Sequence, residues 1–130
     1  MTKQEHVDYW KETAEQDWSS AQVLFGAGNY LNSLFLAHLV IEKLSKALWV
    51  QDNTDDYPPR IHNITRLLAA TTYALSPAEA VLVAELNQFQ LEGRYPDYAR
   101  TVYQRATASH TQDVLRDTTT LRQCLLNKLP

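Results

Sequence analysis

The sequence predicts an all-α protein, a bundle of helices in one domain spanning residues 1–130. Apolar residues recur at spacings of three and four along most of the chain, which places them on one face of a helix. Only three glycines and five prolines occur, and they stand together at a few places. Because a sheet protein needs many tight turns, this sparse punctuation favours helices joined by a few loops. A chain of 130 residues can bury one core without a metal or a disulfide.

Two long helices are predicted in the N-terminal half. The first runs over residues 4–25, and Thr2 with Glu5 three residues later forms a capping box that opens it. The second runs over residues 30–51, between two glycines and a polar segment that ends in two prolines. Their predicted buried faces are Trp10, Ala14, Trp18, Ala21 and Phe25 in the first helix, and Leu34, Ala37, Ile41, Leu44 and Leu48 in the second.

Three further helices are predicted in the C-terminal half. The third runs over residues 61–72, and the fourth begins after Ser76, which opens a Ser-Pro-x-Glu start signal. The glycine and proline of segment 93–97 are expected to end the fourth helix, and the last helix runs over residues 109–129. Residues 98–108 are assigned to no helix. The predicted buried faces are Ile64, Leu67 and Leu68, then Leu82, Leu86 and Phe89, then Val114, Thr118, Leu121 and Leu125.

Charge and cysteine content exclude several classes of protein. The net charge of −3 and a pI of about 5.7 argue against a general affinity for nucleic acid. Residues 1–93 hold 6 basic against 12 acidic side chains, whereas residues 94–130 hold 6 against 3. This asymmetry favours either an anionic partner near the C-terminal part or a contact between the two halves. One cysteine, Cys124, no signal peptide and no long apolar run predict a soluble cytoplasmic protein without a disulfide or membrane span.

The second predicted helix carries a polar stripe beside its apolar face. His38, Glu42 and Lys46 follow one another at i, i+4, and Lys43 lies on the flank. Such a stripe can bind an anion or position a reacting group, with Glu42 orienting a neighbouring cation. The alternative is an ordinary ion pair on a helix surface, which contributes only about 0.3 kcal/mol.

Two loops carry further candidates for binding. His62 follows two prolines and an arginine, where its ring can cap a turn or meet a carboxylate from another element. Arg94 and Tyr95 follow the fourth helix and offer a planar fork for phosphate and an aromatic face for a base. The structural alternative is a buried ion pair in which Arg94 reaches back to Glu42 and holds the loop down.

One pattern has catalytic promise, namely Arg105 followed after four residues by His110. Such a pair can cleave RNA without a metal, with histidine as general acid or base and arginine stabilising the phosphorane. However, chance alone predicts roughly 0.6 such matches in a chain of this composition, so the motif requires structural support. The four histidines and one cysteine stand in no metal-ligand spacing, and no glycine-rich phosphate loop occurs. No metal or cofactor is therefore expected.

Three motifs in this order resemble the HEPN domain family. They are the segment 35–48 of the second helix, the Pro-x-x-His-Asn-Ile of residues 59–64, and the Arg-Tyr-Pro-Asp of residues 94–97. The resemblance covers nearly the whole chain and implies an antiparallel up-and-down four-helix bundle with an additional short helix, frequently as a homodimer. It also implies nucleotide or RNA binding within toxin–antitoxin or defence pairs, often with a nucleotidyltransferase-type protein partner.

Many HEPN domains are metal-independent RNases that use an Arg-x4–6-His motif, and this chain departs from that pattern. The arginine at the family position resembles Arg94, which no histidine follows at a permitted spacing. The leading interpretation is therefore a non-catalytic module that binds nucleotide or RNA. Its candidate ligand-binding residues are His38, Glu42, Lys43, Lys46, His62, Arg94, Tyr95 and Asp97. Two alternatives stay open: a metal-independent endoribonuclease that uses Arg105 and His110, and a purely structural dimerisation or adaptor domain.

Overall fold

A computed structural model describes residues 1–90 and 96–130, and the side chains of all of these except residues 96–99. Within these two ranges the chain forms six α-helices and no strand, which confirms the all-α class. None of the described helices is long and apolar enough to span a bilayer. The helices are α1 (Lys3–Gly26), α2 (Tyr30–Asp52), α3 (Ile64–Ala69), α4 (Pro77–Gln88), α5 (Pro96–Arg105) and α6 (Ala108–Leu126).

Helices α1 and α2 begin and end within two residues of their predicted bounds. The predicted capping box opens α1, since the backbone N–H of Glu5 donates to Thr2 Oγ1 at 3.1 Å and the Thr2 N–H donates to Glu5 Oε1 at 3.3 Å. In the turn to α2, Gly28 has a φ of 80°, a left-handed conformation that any side chain would strain. Because this turn is short, α2 packs along α1 in the largest helix–helix contact described.

Helix α2 is the centre of the fold, packing against α1, α3, α4 and α6. Its predicted apolar stripe is buried, and so is the polar stripe that runs beside it. Three ionisable side chains of a single helix, those of His38, Glu42 and Lys46, therefore lie inside a small domain. An ion pair on an exposed helix surface, one of the alternatives left open by the sequence, does not describe this position.

Helices α3 and α4 differ from the prediction. Helix α3 begins three residues later than expected because Asn63 is its N-cap, accepting a hydrogen bond from the N–H of Arg66 at 3.1 Å. The start signal at Ser76 is confirmed as a capping box with Glu79. The expectation that segment 93–97 ends α4 is wrong, because α4 ends at Gln88. The next residue, Phe89, is fully buried and leaves the helix.

The C-terminal helices also add to the prediction. The sequence pattern predicts no helix over residues 98–108, whereas most of these residues belong to α5, whose first residue is Pro96. A proline in the first turn of a helix costs nothing, because the N–H that it lacks would have no partner there. Helix α6 begins one residue early, after the N-cap Thr107, and ends three residues early. Its predicted stripe is buried as expected: Val114, Thr118, Leu121 and Leu125.

Candidate functional site

The buried carboxylate of Glu42 is the centre of the candidate site. Glu42 Oε1 accepts a hydrogen bond from Nδ1 of His62 at 3.0 Å, and Oε2 accepts one from Nζ of Lys46 at 3.2 Å. Glu42 is 3% exposed and Lys46 is 7% exposed, so water screens this ion pair weakly. The i, i+4 spacing on α2 brings Lys46 to Glu42, whereas the loop between α2 and α3 brings His62. We call these residues, together with His38, the Glu42 cluster.

His38 holds the loop that carries His62. Its Nε2 lies 3.0 Å from the backbone oxygen of His62 and donates to it, which fixes the proton on that nitrogen. Burial lowers the pKa of His38 below its ordinary value of 6.5, although the neighbouring Glu42 carboxylate opposes this effect. His38 is therefore neutral at pH 7, and its Nδ1 lies 4.0 Å from Glu42 Oε1. Two side chains of α2 therefore hold His62, because His38 bonds its backbone oxygen and Glu42 bonds its ring.

A cavity of about 250 Å³ opens beside His62, lined also by Asn63, Asn87 and Gln90. Asn87 ties α4 to the start of α3, since its Oδ1 accepts the N–H of Ile64 at 3.2 Å. The cavity therefore presents one imidazole and three amide side chains where the loop before α3 meets the end of α4. Amides supply both donors and acceptors, which suits the edge of a base or a phosphate oxygen. We call this space the amide cavity.

Sequence reasoning missed the amide side chains of this cavity. Asn87 and Gln90 lie at and just beyond the end of α4, and Gln90 is buried. No local pattern shows that these two amides meet at a cavity, and the sequence predicts that α4 continues past both of them toward residue 93. Asn63 belongs to a recognised motif, where its visible role is to cap α3.

Lys43 does not join the Glu42 cluster. Its Nζ lies 2.6 Å from Oδ2 of Asp17, so it ties α2 to α1 on a different side of the helix. Arg94 and Tyr95 lie outside the described residues. Asp97 lies in the first turn of α5, but its side chain is outside the described part of the structure.

Arg105 and His110 both reach α4. Nη1 of Arg105 donates to Oε1 of Gln88 at 2.8 Å, and Nε2 of His110 contacts the carboxylate of Glu85. Glu85 and Gln88 are three residues apart and therefore neighbours on the surface of α4. The two members of the candidate RNase pair thus lie on the same side of the protein, and each already has a partner on α4.

No three side chains of the metal-binding types His, Cys, Asp and Glu are grouped to hold a metal ion in residues 1–90 and 96–130. Within the Glu42 cluster the reason is visible, because both carboxylate oxygens are occupied by hydrogen bonds from Lys46 and His62. The Glu42 cluster can offer a ligand hydrogen bonds and charge beside the amide cavity.

In a comparison with protein families, the HEPN domain model matches residues 7–128. Comparisons with curated proteins and with solved structures gave no match. The matched range contains all of α2 to α6 and most of α1, together with every residue of the Glu42 cluster. A HEPN domain is a helical, nucleotide- or RNA-related module, often an RNase, and the all-helical architecture agrees with that description. With nearly its whole length covered by the match, the chain belongs to the HEPN domain family.

Proposed function

We propose that this HEPN domain binds a nucleotide or single-stranded RNA without cleaving it, through the Glu42 cluster and the amide cavity. The observation that carries the proposal is the buried Glu42 carboxylate, which fixes His62 at the rim of that cavity. Burying an ion pair costs desolvation, and apolar residues of similar size often stabilise a core as well or better. A function in ligand binding gives a reason to keep these charges that core packing does not supply.

The groups around the amide cavity suit RNA recognition. Sequence-selective binding of RNA relies on unstacked bases, which hydrogen-bond through their edges and stack on side chains such as histidine. His62 and the amides of Asn63, Asn87 and Gln90 offer both kinds of contact. Arg94, Tyr95 and Asp97 follow Gln90 within seven residues, and the family resemblance assigns them to the same ligand, with Arg94 as the partner of a phosphate.

The biological setting forms part of the same proposal and rests on family membership. We expect an antiparallel four-helix core with an additional short helix, in a single domain that forms a cytoplasmic homodimer. We also expect a nucleotidyltransferase-type protein partner in a toxin–antitoxin or defence pair. Because Lys43 is paired with Asp17, we expect it to stabilise the packing of α1 on α2 and to make no direct contact with the ligand.

Metal-independent RNA cleavage is the second candidate function. It is favoured by one observation, that Arg105 and His110 converge on neighbouring residues of α4. His110 would act as general acid or base, and Arg105 would stabilise the phosphorane. The partners that both groups already have, Gln88 and Glu85, must be displaced before either can meet a substrate. This candidate ranks below simple binding because no histidine follows Arg94, the arginine that resembles the family position, at a permitted spacing.

One experiment separates the two candidates. The wild type, His62→Ala and His110→Ala are incubated with a mixed RNA pool in EDTA, and each sample is run on a native and a denaturing gel. We expect a shifted band and intact RNA for the wild type, loss of the shift in His62→Ala, and no change in His110→Ala. Fragments that disappear in His110→Ala would make the protein an RNase. Equal shifts in all three samples would remove His62 from the binding site.

A further inference from the structure

A groove lined by aromatic rings lies next to Lys46 of the Glu42 cluster, whereas the amide cavity lies next to His62. Two cavities of about 370 and 240 Å³ adjoin there, and both are lined by Tyr9, Trp10, Tyr57 and Pro58. The groove runs between the N-terminal part of α1 and the loop that joins α2 to α3. Its larger half falls within the range of roughly 300–1,000 Å³ typical of small-molecule sites. We call it the aromatic groove.

The walls of the aromatic groove expose two tyrosine rings, Tyr9 and Tyr57, and part of the Trp10 ring. Tyr57 is 72% exposed, and its ring meets that of His6 edge-on at a centroid distance of 5.1 Å. Tyr9 and Trp10 form a second edge-on pair at 5.3 Å. Pro58 follows directly and has a fixed backbone φ, which limits the motion of this wall. Exposed aromatic rings on a stiff frame can stack on a planar ligand with little loss of side-chain freedom.

Two cationic side chains, those of Lys46 and Arg60, line the larger half of the aromatic groove. The ammonium of Lys46 lies 5.3 Å from the Trp10 ring centroid and, among residues 1–90 and 96–130, donates one hydrogen bond, to Glu42. An ammonium has three donors, so Lys46 can make further hydrogen bonds toward the groove that it lines. Arg60 is exposed at the rim and has no ion pair among residues 1–90 and 96–130. In the smaller half, Asp56 is neutralised by Lys3 at 2.6 Å.

We propose that the aromatic groove binds one nucleoside monophosphate unit, with the base stacked on Tyr57 and Trp10 and the phosphate held by Arg60 and Lys46. In the larger half, aromatic rings beside two cationic side chains match a ligand with one planar ring and one anionic group. Stacking surfaces beside positive charge are the recurrent means of binding single-stranded nucleic acid. An acidic peptide carries its charges along its length, whereas the two cationic side chains lie together in the larger half.

This inference rests on the proposed function and adds a second contact to it. Glu42 connects the two places, since it binds Lys46 at the floor of the aromatic groove and His62 at the rim of the amide cavity. The same nucleoside monophosphate chemistry has two sources, a free nucleotide or the 5′ end of an RNA. Two RNA probes that differ only in their 5′ phosphate distinguish these sources.

The test uses AMP and a labelled RNA of about eight nucleotides, with either a 5′ phosphate or a 5′ hydroxyl. Dissociation constants are measured by calorimetry for AMP and by fluorescence anisotropy for RNA, with wild type, Tyr57→Ala and Arg60→Ala. Both residues are exposed, so the variants are expected to fold, which circular dichroism checks. Tyr103→Ala and Arg66→Ala are matched controls, because these residues are exposed and belong to α5 and α3, away from the groove.

We expect Tyr57→Ala and Arg60→Ala each to weaken the binding of AMP or of 5′-phosphorylated RNA at least tenfold, with both controls within twofold of wild type. Tight AMP binding identifies a free nucleotide as the ligand, whereas a preference for 5′-phosphorylated RNA that Arg60→Ala abolishes identifies an RNA end. Wild-type affinity for RNA and AMP in both groove variants would overturn this inference and leave the proposed function standing. No binding of any probe to the wild type would overturn both.

Discussion

The ion pair between Glu42 and Lys46 gives a stability prediction whose size follows from burial. Glu42→Ala leaves the Lys46 ammonium, in a residue that is 7% exposed, without its carboxylate partner. Removal of one partner from a buried ion pair costs about 3–5 kcal/mol. The lost hydrogen bond from His62 adds less, about 0.5 kcal/mol, because water reaches the imidazole. We therefore expect Glu42→Ala to lower the free energy of unfolding by about 3–5 kcal/mol, a large share of the stability of a small domain.

Urea denaturation followed by circular dichroism measures this change, with the slope against urea showing whether the two-state model holds. Glu15→Ala is the matched control, because Glu15 pairs with Arg122 but its side chain is 64% exposed. The control should lose less than about 1 kcal/mol. The double variant Glu42→Leu/Lys46→Met removes both charges and should recover most of the loss. If Glu42→Ala costs no more than Glu15→Ala, then Glu42 is not a buried, paired carboxylate and the centre of the site is wrong.

Three further changes test other contacts. Because burial lowers the pKa of His38, the unfolded chain binds a proton there more readily than the folded one. The stability that neutral His38 contributes is therefore complete above pH 6.5 and falls below that pH, by up to about 1.4 kcal/mol per pH unit. Urea midpoints measured at pH 7.5, 6.5 and 5.5 should fall less steeply in His38→Gln than in the wild type. Parallel pH dependences of the two proteins would contradict this. Lys3 Nζ donates to two backbone oxygens at the end of α2 at 2.9 Å each. Lys3→Met should therefore lower the free energy of unfolding by about 1 kcal/mol and speed amide hydrogen exchange in that turn. Unchanged hydrogen exchange would contradict a stabilising role for this contact. The hydroxyl of Tyr73 donates to Glu79 at 2.7 Å, so Tyr73→Phe should lower the melting temperature at a cost of about 1 kcal/mol, and an unchanged melting temperature would show the bond to be unimportant.

The helices were largely predictable because their signals are local. The capping boxes at Thr2 and Ser76 and the apolar stripe of α2 depend only on residues a few positions apart, and all three are confirmed. The end of α4 and the start of α5 were predicted wrongly because the same residue type, proline, occurs at both kinds of position. Pro96 was interpreted as part of a helix-ending segment, whereas it stands in the first turn of α5. A proline can follow one helix or begin the next, and only the three-dimensional packing decides.

The candidate site was predictable only in part because burial is a tertiary property. The spacing of His38, Glu42 and Lys46 fits an exposed helix face as well as a buried one. Its burial follows from the position of α2 between α1, α3, α4 and α6. The hydrogen bond from His62 to Glu42 joins residues 20 positions apart, and no local pattern contains it. The family motifs included both residues, but geometry alone connects them.

The most direct measurement of the central claim is the affinity of wild type and His62→Ala for a labelled single-stranded RNA, by fluorescence anisotropy in EDTA. The imidazole of His62 is 48% exposed, so its removal should leave the fold intact, which a urea titration of the same sample checks. We predict that the wild type binds the RNA and leaves it uncut, and that His62→Ala binds at least tenfold more weakly. Equal affinities in the two proteins, or no affinity in either, would contradict the account of the Glu42 cluster as the frame of a nucleotide- or RNA-binding site.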